Sequence, residues 1–174
     1  FDRDLADLER AVDGTATAAG VTGDTREGLV SMAVESLRRN RELLPPDAVD
    51  TWVADGDRLP VAGTTVEAHH TAGHQADHLC YYLPDERVLV SGDMAIEPFR
   101  PVALHAGLDN GVGDAIGSFY GALDHLASLD VDRVYPGHGP VHDAFDRVVE
   151  RDRESLDRML DRTVDSVADG ADTA

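Results

Sequence analysis

Residues 69–93 read HHTAGHQADHLCYYLPDERVLVSGD, and residues 131–140 read VDRVYPGHGP. Three glycine-flanked stretches in these segments carry residues that can bind a metal ion, namely His74, Asp93 and His138. Each stretch follows a run typical of a β-strand, so a rigid sheet would fix the position of the exposed side chain. Glycine beside each residue permits a tight backbone and close approach of a ligand. Neutral imidazole and carboxylate are the donors expected for zinc, iron or manganese.

The pattern around these stretches predicts a mixed α/β sandwich, because strands are followed by helices and hairpins lie in the middle. Helical spacing of apolar residues is seen over residues 1–12, 26–43, 116–126 and from about 143 onward, where the inner side includes Phe145, Leu156, Leu160 and Val167. Asp114 is the predicted cap of the third helix. Strands are predicted at residues 65–70, 78–83, 87–90 and 131–135. Residues 13–25, rich in Gly and Thr, predict a loop around a short strand.

In this order, the three stretches resemble the second half of a metallo-β-lactamase-fold hydrolase, of the branch with glyoxalase II-like members. The resemblance runs from about residue 27 to residue 162. It implies a partial αβ/βα sandwich, with mixed sheets, flanking helices and missing N-terminal strands. It also implies that His74 binds the first of two metal ions, that Asp93 bridges both, and that His138 binds the second. Two zinc ions are the implied cofactor, with iron or manganese as alternatives.

The first motif of that family, His-x-His-x-Asp-His, is absent from this chain. Two explanations stay open. Either the single domain over residues 1–174 is incomplete at its N-terminus, as the missing initiator methionine favours, or the motif has degenerated, with Asp2, Asp4 and Leu5 on its last positions. Asp2 and Asp4 fit the start of a helix equally well. We therefore expect at most one metal ion in this chain, held chiefly by Asp93 and His138 with His74 close by.

Three functions are compatible with these observations. The first is a metal-dependent hydrolase in which activated water attacks an ester, thioester or lactone of a small-molecule substrate, with Asp93 as the catalytic residue that orients the water. The second is a non-catalytic module with a degenerate or truncated metal site. The third is a small α/β domain that carries the motifs by accident.

The residues around the three stretches have predicted supporting roles. Residues 94–113 are predicted to border the site, with Phe99, Arg100 and His105 as candidate substrate contacts. His78 is predicted to be a polar partner near the site rather than a ligand, and either His78 or His105 is a candidate hydrogen-bond donor at the site. His69 and His70 are predicted to face opposite sides of a strand, and His105, His125 and His142 to lie at the surface or behind the ligands.

The composition limits the partners. There are 25 Asp and 9 Glu against 15 Arg and no Lys, giving a net charge of −19, which would repel a nucleic acid. The acidic residues are spread along the whole chain. This distribution suits a protein dissolved in molar salt, where the repulsion between like charges is screened within about 3 Å. Charged first residues predict no signal peptide, no run of 18 apolar residues exists, and Cys80 is the single cysteine. We expect a cytoplasmic protein of a salt-loving organism that binds neither nucleic acid nor membrane.

The first prediction concerns salt. Thermal melts in molar and in millimolar KCl should show a higher midpoint in molar salt, because salt screens the repulsion between carboxylates. Equal midpoints would contradict the adaptation to salt.

Overall fold

The computed structural model describes residues 4–102 and 114–168 of the chain. The described residues fall into two compact units, residues 4–52 and residues 53–168. The first contains α1 (Leu5–Ala18), α2 (Gly23–Leu43) and a 3-10 turn at Pro46–Ala48. The second contains β1 (Arg58–Val61), β2 (Thr64–His70), β3 (Leu79–Leu83), β4 (Val88–Gly92), α3 (Ala115–Leu126), β5 (Arg133–Pro136) and α4 (Phe145–Ala168). The single domain over residues 1–174 stays a prediction.

In the first unit, the start of α1 is a capped helix terminus. The Oδ1 atom of Asp4 accepts hydrogen bonds from the backbone N–H groups of Ala6 and Asp7, as an N-cap carboxylate does. This geometry fits the interpretation of Asp4 as a helix start, whereas Asp2 lies outside the described residues.

Of the loop and short strand predicted over residues 13–25, only a loop at residues 19–22 is present; the short strand is absent from this stretch and its other residues are helical. The buried side chains Leu8, Val12 and Ala16 follow each other at a spacing of four residues, so they form one stripe along α1. This stripe continues the helix through the Gly- and Thr-rich stretch to Ala18, and α2 already begins at Gly23.

In the second unit, the described strands form a sheet in the order β1-β2-β3-β4-β5. The first three pairings are antiparallel and the pairing of β4 with β5 is parallel. Consequently β2, β4 and β5 run in the same direction, and their carboxyl ends lie at the same edge of the sheet. The three predicted metal-binding residues follow these three ends.

The hydrophobic core lies between one face of this sheet and the two helices of the second unit. Cys80, Tyr82, Leu89 and Val134 come from the sheet, and Phe119, Leu123, Leu126, Phe145, Val148 and Leu156 come from α3 and α4. Asp114 caps α3 as predicted, because its Oδ1 accepts the N–H of Gly117 at 2.7 Å. The mixed α/β fold with flanking helices is thus confirmed. None of the helices within residues 4–102 and 114–168 is long and apolar enough to cross a membrane.

The last turns of α4 differ from the prediction. Leu160 is 46% exposed and Val167 is 55% exposed, so neither lies on the inner side of the helix. The physical reason is length: the 24 residues of α4 span about 36 Å, whereas strands of four to seven residues span at most about 23 Å. The end of α4 therefore extends beyond the sheet.

The second prediction tests this boundary. Leu156→Ala should lower the free energy of unfolding by roughly 2–4 kcal/mol, because the side chain is fully buried and its removal leaves a cavity. Leu160→Ala, one turn further along the same helix, should lower it by less than about 1 kcal/mol. Urea unfolding in molar KCl measures both, and equal losses would contradict the boundary between Leu156 and Leu160.

Candidate metal centre

The structure brings the three predicted metal-binding residues together. The Nε2 atom of His74 lies 3.5 Å from Oδ2 of Asp93. The Nε2 atom of His138 lies 3.4 Å from Oδ1 of the same carboxylate. The side chain of His74 is mostly buried, Asp93 is about one-third exposed and His138 is largely exposed. Two imidazoles thus face the two oxygens of one carboxylate.

These separations fit metal coordination. Two donors bound to one tetrahedral zinc ion at about 2.0–2.2 Å lie about 3.3–3.6 Å apart. Each imidazole of the site, however, faces a different oxygen of Asp93, so the arrangement consists of two pairs of donors. No group of three or more His, Cys, Asp or Glu side chains among the described residues is arranged to hold a metal ion. A catalytic zinc ion usually has three protein ligands, so each pair is one donor short.

The orientation of His74 is set by its second ring nitrogen. Nδ1 lies 2.8 Å from the carbonyl oxygen of Val102, and a carbonyl can only accept, so Nδ1 carries a proton. In the neutral imidazole, Nε2 then presents its lone pair toward Asp93. Fixing the tautomer through a backbone carbonyl is common for histidines that bind metal.

Two glycines hold the backbone around Asp93. Gly92 has φ = +52°, a left-handed conformation that favours glycine. Its carbonyl oxygen accepts the N–H of Gly137 at 2.7 Å, which joins the ends of β4 and β5. A Cβ at Gly137 would lie 3.1 Å from Oδ1 of Asp93. Because Gly137 has no side chain, the carboxylate of Asp93 has the space that it occupies.

His78 contacts Asp93 through the backbone. Its Nε2 accepts the N–H of Asp93 at 3.0 Å, and its Nδ1 lies 2.8 Å from Oγ1 of Thr71. Burial lowers the pKa of His78 more than the nearby Asp93 raises it, which favours the neutral ring that this geometry requires. Both ring nitrogens are engaged, so His78 supports the site as a polar partner.

Residues 9–138 match the family model of the metallo-beta-lactamase superfamily. The chain belongs to the metallo-beta-lactamase superfamily.

Relatives and solved structures of this superfamily are longer than the chain. A beta-lactamase-like protein 2 homolog of Caenorhabditis elegans is 33% identical over 111 residues, which are 64% of this chain and 33% of that protein. A lactamase-like protein of Emericella nidulans is 33% identical over 98 residues, which are 56% of this chain and 28% of that protein. The chain spans about a third of the length of these curated relatives.

The solved structures agree on the fold. A metallo-beta-lactamase family protein from Thermus thermophilus superposes with a TM-score of 0.68 at 25% identity, covering 88% of this chain and 47% of that one. A beta-lactamase domain protein from Burkholderia ambifaria gives a TM-score of 0.58 at 18% identity, covering 78% and 44%. The described sheet and helices are therefore those of a metallo-beta-lactamase fold.

Among the described residues, His69, His70, His125 and His142 have hydrogen-bond partners other than the three candidates. His69 is partly buried and His70 is exposed, so the two face opposite sides of β2 as predicted. Nδ1 of His69 lies 2.9 Å from Nε2 of His125, a pair that sequence reasoning missed because 56 residues separate them. Burial is the largest cause that lowers the pKa of His69, and the electrostatic effect of the nearby His125 lowers it further. Nε2 of His142 lies 2.9 Å from the carbonyl oxygen of Ala95, and His105 lies outside the described residues.

A pocket of about 250 Å³ adjoins the three residues. Its lining consists of His74, Asp93 and His138, together with Ile96, Phe99, Arg100, Pro101 and Val102. Residue 96 and residues 99–102 of the predicted bordering loop thus line the site, and residues 103–113 lie outside the described residues. This part of the lining, the pocket wall, is largely apolar, which suits the organic part of a small molecule.

Two arginines anchor this wall to α4. Nε of Arg100 donates to Oγ of Ser155 at 2.9 Å, and its guanidinium lies 5.9 Å from the centre of the Phe119 ring. Arg151 donates to the carbonyl oxygens of Ile96 and Glu97. Sequence reasoning missed Arg151, because one arginine among many on an acidic helix gives no signal. The engaged guanidinium of Arg100 favours a role in fixing the loop, while its role as a substrate contact stays a prediction.

The buried carboxylate of Asp152 orients the guanidinium of Arg151. Its side chain is fully buried, Oδ1 accepts from Nε of Arg151 at 3.0 Å, and Oδ2 has no hydrogen-bond partner among the described residues. Burial raises the pKa of Asp152 to about 6, and the neighbouring Arg151 opposes this rise only partly. The folded chain thus binds this proton more tightly than the unfolded chain.

The third prediction follows from that pKa. The stability that the protonated Asp152 contributes is full below about pH 4 and is lost as the pH rises through about 6. The unfolding free energy of wild type relative to Asp152→Asn should therefore fall by roughly 2–3 kcal/mol between pH 4 and pH 7. Urea unfolding at constant KCl measures this difference, and a pH-independent difference would contradict the prediction.

Proposed function

We propose that this chain carries the metal-binding part of a hydrolase that acts on an ester, thioester or lactone. The observation that supports this most is the convergence of the imidazoles of His74 and His138 on the carboxylate of Asp93. Membership of the superfamily and the adjoining pocket agree with it.

The chemical types of the donors suit a divalent cation, although each pair of donors is one short of the three of a catalytic zinc site. His74, His138 and Asp93 would hold it, and their nitrogen and oxygen donors suit zinc first, with iron or manganese as alternatives. When bound, such an ion polarises a carbonyl group and lowers the pKa of water toward about 7.

The chain's own residues supply the remaining chemistry. Asp93 faces both imidazoles and the pocket, so its carboxylate can orient an attacking water and accept its proton. Phe99 and Val102, each about half exposed, offer an apolar surface on which the acyl part of a substrate can lie, whereas Ile96 and Pro101 are buried.

A second candidate is a non-catalytic module with a degenerate or truncated metal site. The observation that favours it is the pairing of each Asp93 oxygen with a single imidazole, which leaves two protein donors for each metal ion. Such a site would bind metal weakly and activate little water.

We also propose that the protein works on small molecules in a salt-rich cytoplasm and binds neither nucleic acid nor membrane. The net charge of −19 supports this, since a field of that sign repels polyphosphates and is tolerable where salt screens it.

The fourth prediction tests the metal site. In zinc titrations against a competing chelator in molar KCl, Asp93→Ala and His138→Ala should each bind zinc at least about 10-fold more weakly than wild type. His125→Ala removes an imidazole outside the site and should bind like wild type. Affinity should fall at acid pH, because protons compete for the imidazoles.

The same proteins decide between hydrolase and module. Hydrolysis of a panel of thioesters and lactones that depends on added zinc and is lost in Asp93→Ala supports the hydrolase. Zinc binding without hydrolysis supports the non-catalytic module. Equal trace zinc in wild type, Asp93→Ala and His138→Ala would overturn the metal site itself.

A further inference from the structure

The backbone of Asp93 is held by a side chain that is not one of the three metal-binding candidates. The N–H of Asp93 donates to Nε2 of His78 at 3.0 Å. Because a backbone N–H can only donate, Nε2 must carry the lone pair and Nδ1 the proton. His78 lies 15 residues before Asp93 in the chain, in the turn that joins β2 to β3.

A buried chain of hydrogen bonds fixes this tautomer. Nδ1 of His78 lies 2.8 Å from Oγ1 of Thr71, Oγ1 lies 3.2 Å from Sγ of Cys80, and Sγ donates to the carbonyl oxygen of Ser91 at 3.3 Å. Burial raises the pKa of the Cys80 thiol to about 12, so the thiol keeps its proton. The thiol proton points at Ser91, so the hydroxyl of Thr71 must donate to Sγ and accept from Nδ1.

This network holds the backbone at Ser91 and at Asp93, the two ends of the turn at the end of β4. The carbonyl oxygen of Ser91 receives the Cys80 thiol, and the N–H of Asp93 reaches His78. Thr71, Cys80 and Ser91 are fully buried, so water cannot easily replace these bonds. A single proton arrangement satisfies all four bonds.

The residue between these two ends shows how closely the ring is fitted. A Cβ at Gly92 would lie 2.7 Å from Nε2 of His78. No side chain can therefore stand at position 92 while the ring is in place, apart from the strain that φ = +52° would impose. The imidazole lies directly over the peptide that leads into Asp93.

We propose that His78 is a positioning residue of the metal site: through the N–H of Asp93, it sets the direction in which the Asp93 carboxylate meets His74 and His138. This inference rests on the proposed function of those three residues. The backbone hydrogen bond fixes the rotation of the peptide before Asp93, and the starting direction of the carboxylate follows from it. Loss of the bond frees the carboxylate and weakens metal binding without removing a ligand.

The fifth prediction compares two substitutions that remove the same ring. His78→Gln places an amide oxygen near the former Nε2, where it can accept from Asp93. His78→Asn places its amide near the former Nδ1 and can serve Thr71 only. We expect His78→Asn to bind zinc about 10- to 100-fold more weakly than wild type, and His78→Gln to remain within about 3-fold.

Further readouts separate positioning from general support of the fold. Both variants lose a packed ring, so thermal melts of the metal-free chains should be similar, while the cobalt absorption spectrum should change in His78→Asn and be retained in His78→Gln. Nitrogen NMR of the metal-free wild type should show the Nδ1–H tautomer at His78. Should both variants fold poorly, Thr71→Val and Thr71→Ser give the same comparison, with zinc affinity lowered in Thr71→Val only.

The outcomes distinguish this inference from the proposed function. If wild type binds zinc more tightly than Asp93→Ala and His78→Asn binds like wild type, only the role of His78 is overturned. Equal weakening by His78→Asn and His78→Gln likewise overturns it, because the acceptor to Asp93 would then not matter. If wild type binds zinc no better than Asp93→Ala, the proposed function fails first.

Discussion

Parallel pairing of β4 with β5 is the constraint on which the candidate site depends, because it puts the carboxyl ends of both strands at one edge of the sheet. The N–H of Gly137 donates to the carbonyl oxygen of Gly92 at the ends of the strands, so the two turns stay joined where the candidate metal-binding side chains begin. Asp93 follows one glycine and His138 follows the other. Two antiparallel pairings bring the end of β2 to the same edge, and His74 arrives with it.

Glycine and buried polar groups have complementary roles at this edge. Gly92 and Gly137 leave space, since a Cβ at either position would meet the ring of His78 or the carboxylate of Asp93. The chain of bonds from His78 through Thr71 to Cys80 then restrains the backbone in that space. A fully satisfied buried network has one favourable arrangement of its hydrogen bonds, so it fixes the direction of the backbone. Glycine alone would leave that backbone flexible.

The pocket wall depends on a different part of the molecule. Arg151 and Arg100 extend from α4 and the loop to hold residues 96–101 against the helix, and Asp152 is buried beneath them. The position of the apolar lining is therefore tied to the packing of α4 on the sheet. The wall and the candidate metal-binding residues meet at Val102, whose carbonyl oxygen fixes the ring of His74.

The sequence by itself determined the fold class, the capped start of α3, the opposite faces of His69 and His70, and the three residues His74, Asp93 and His138 as candidates. Apolar periodicity, capping and glycine-flanked strand ends are local signals, and the resemblance to a family supplied the rest. Only the tertiary structure decided that α1 continues to Ala18, that the buried residues of α4 end at Leu156, and that His69 contacts His125. It alone showed that each imidazole faces a different oxygen of Asp93 and that His78 holds the backbone beneath it. These contacts join residues 15 to 56 positions apart, so they depend on strand register and packing, which no local pattern encodes.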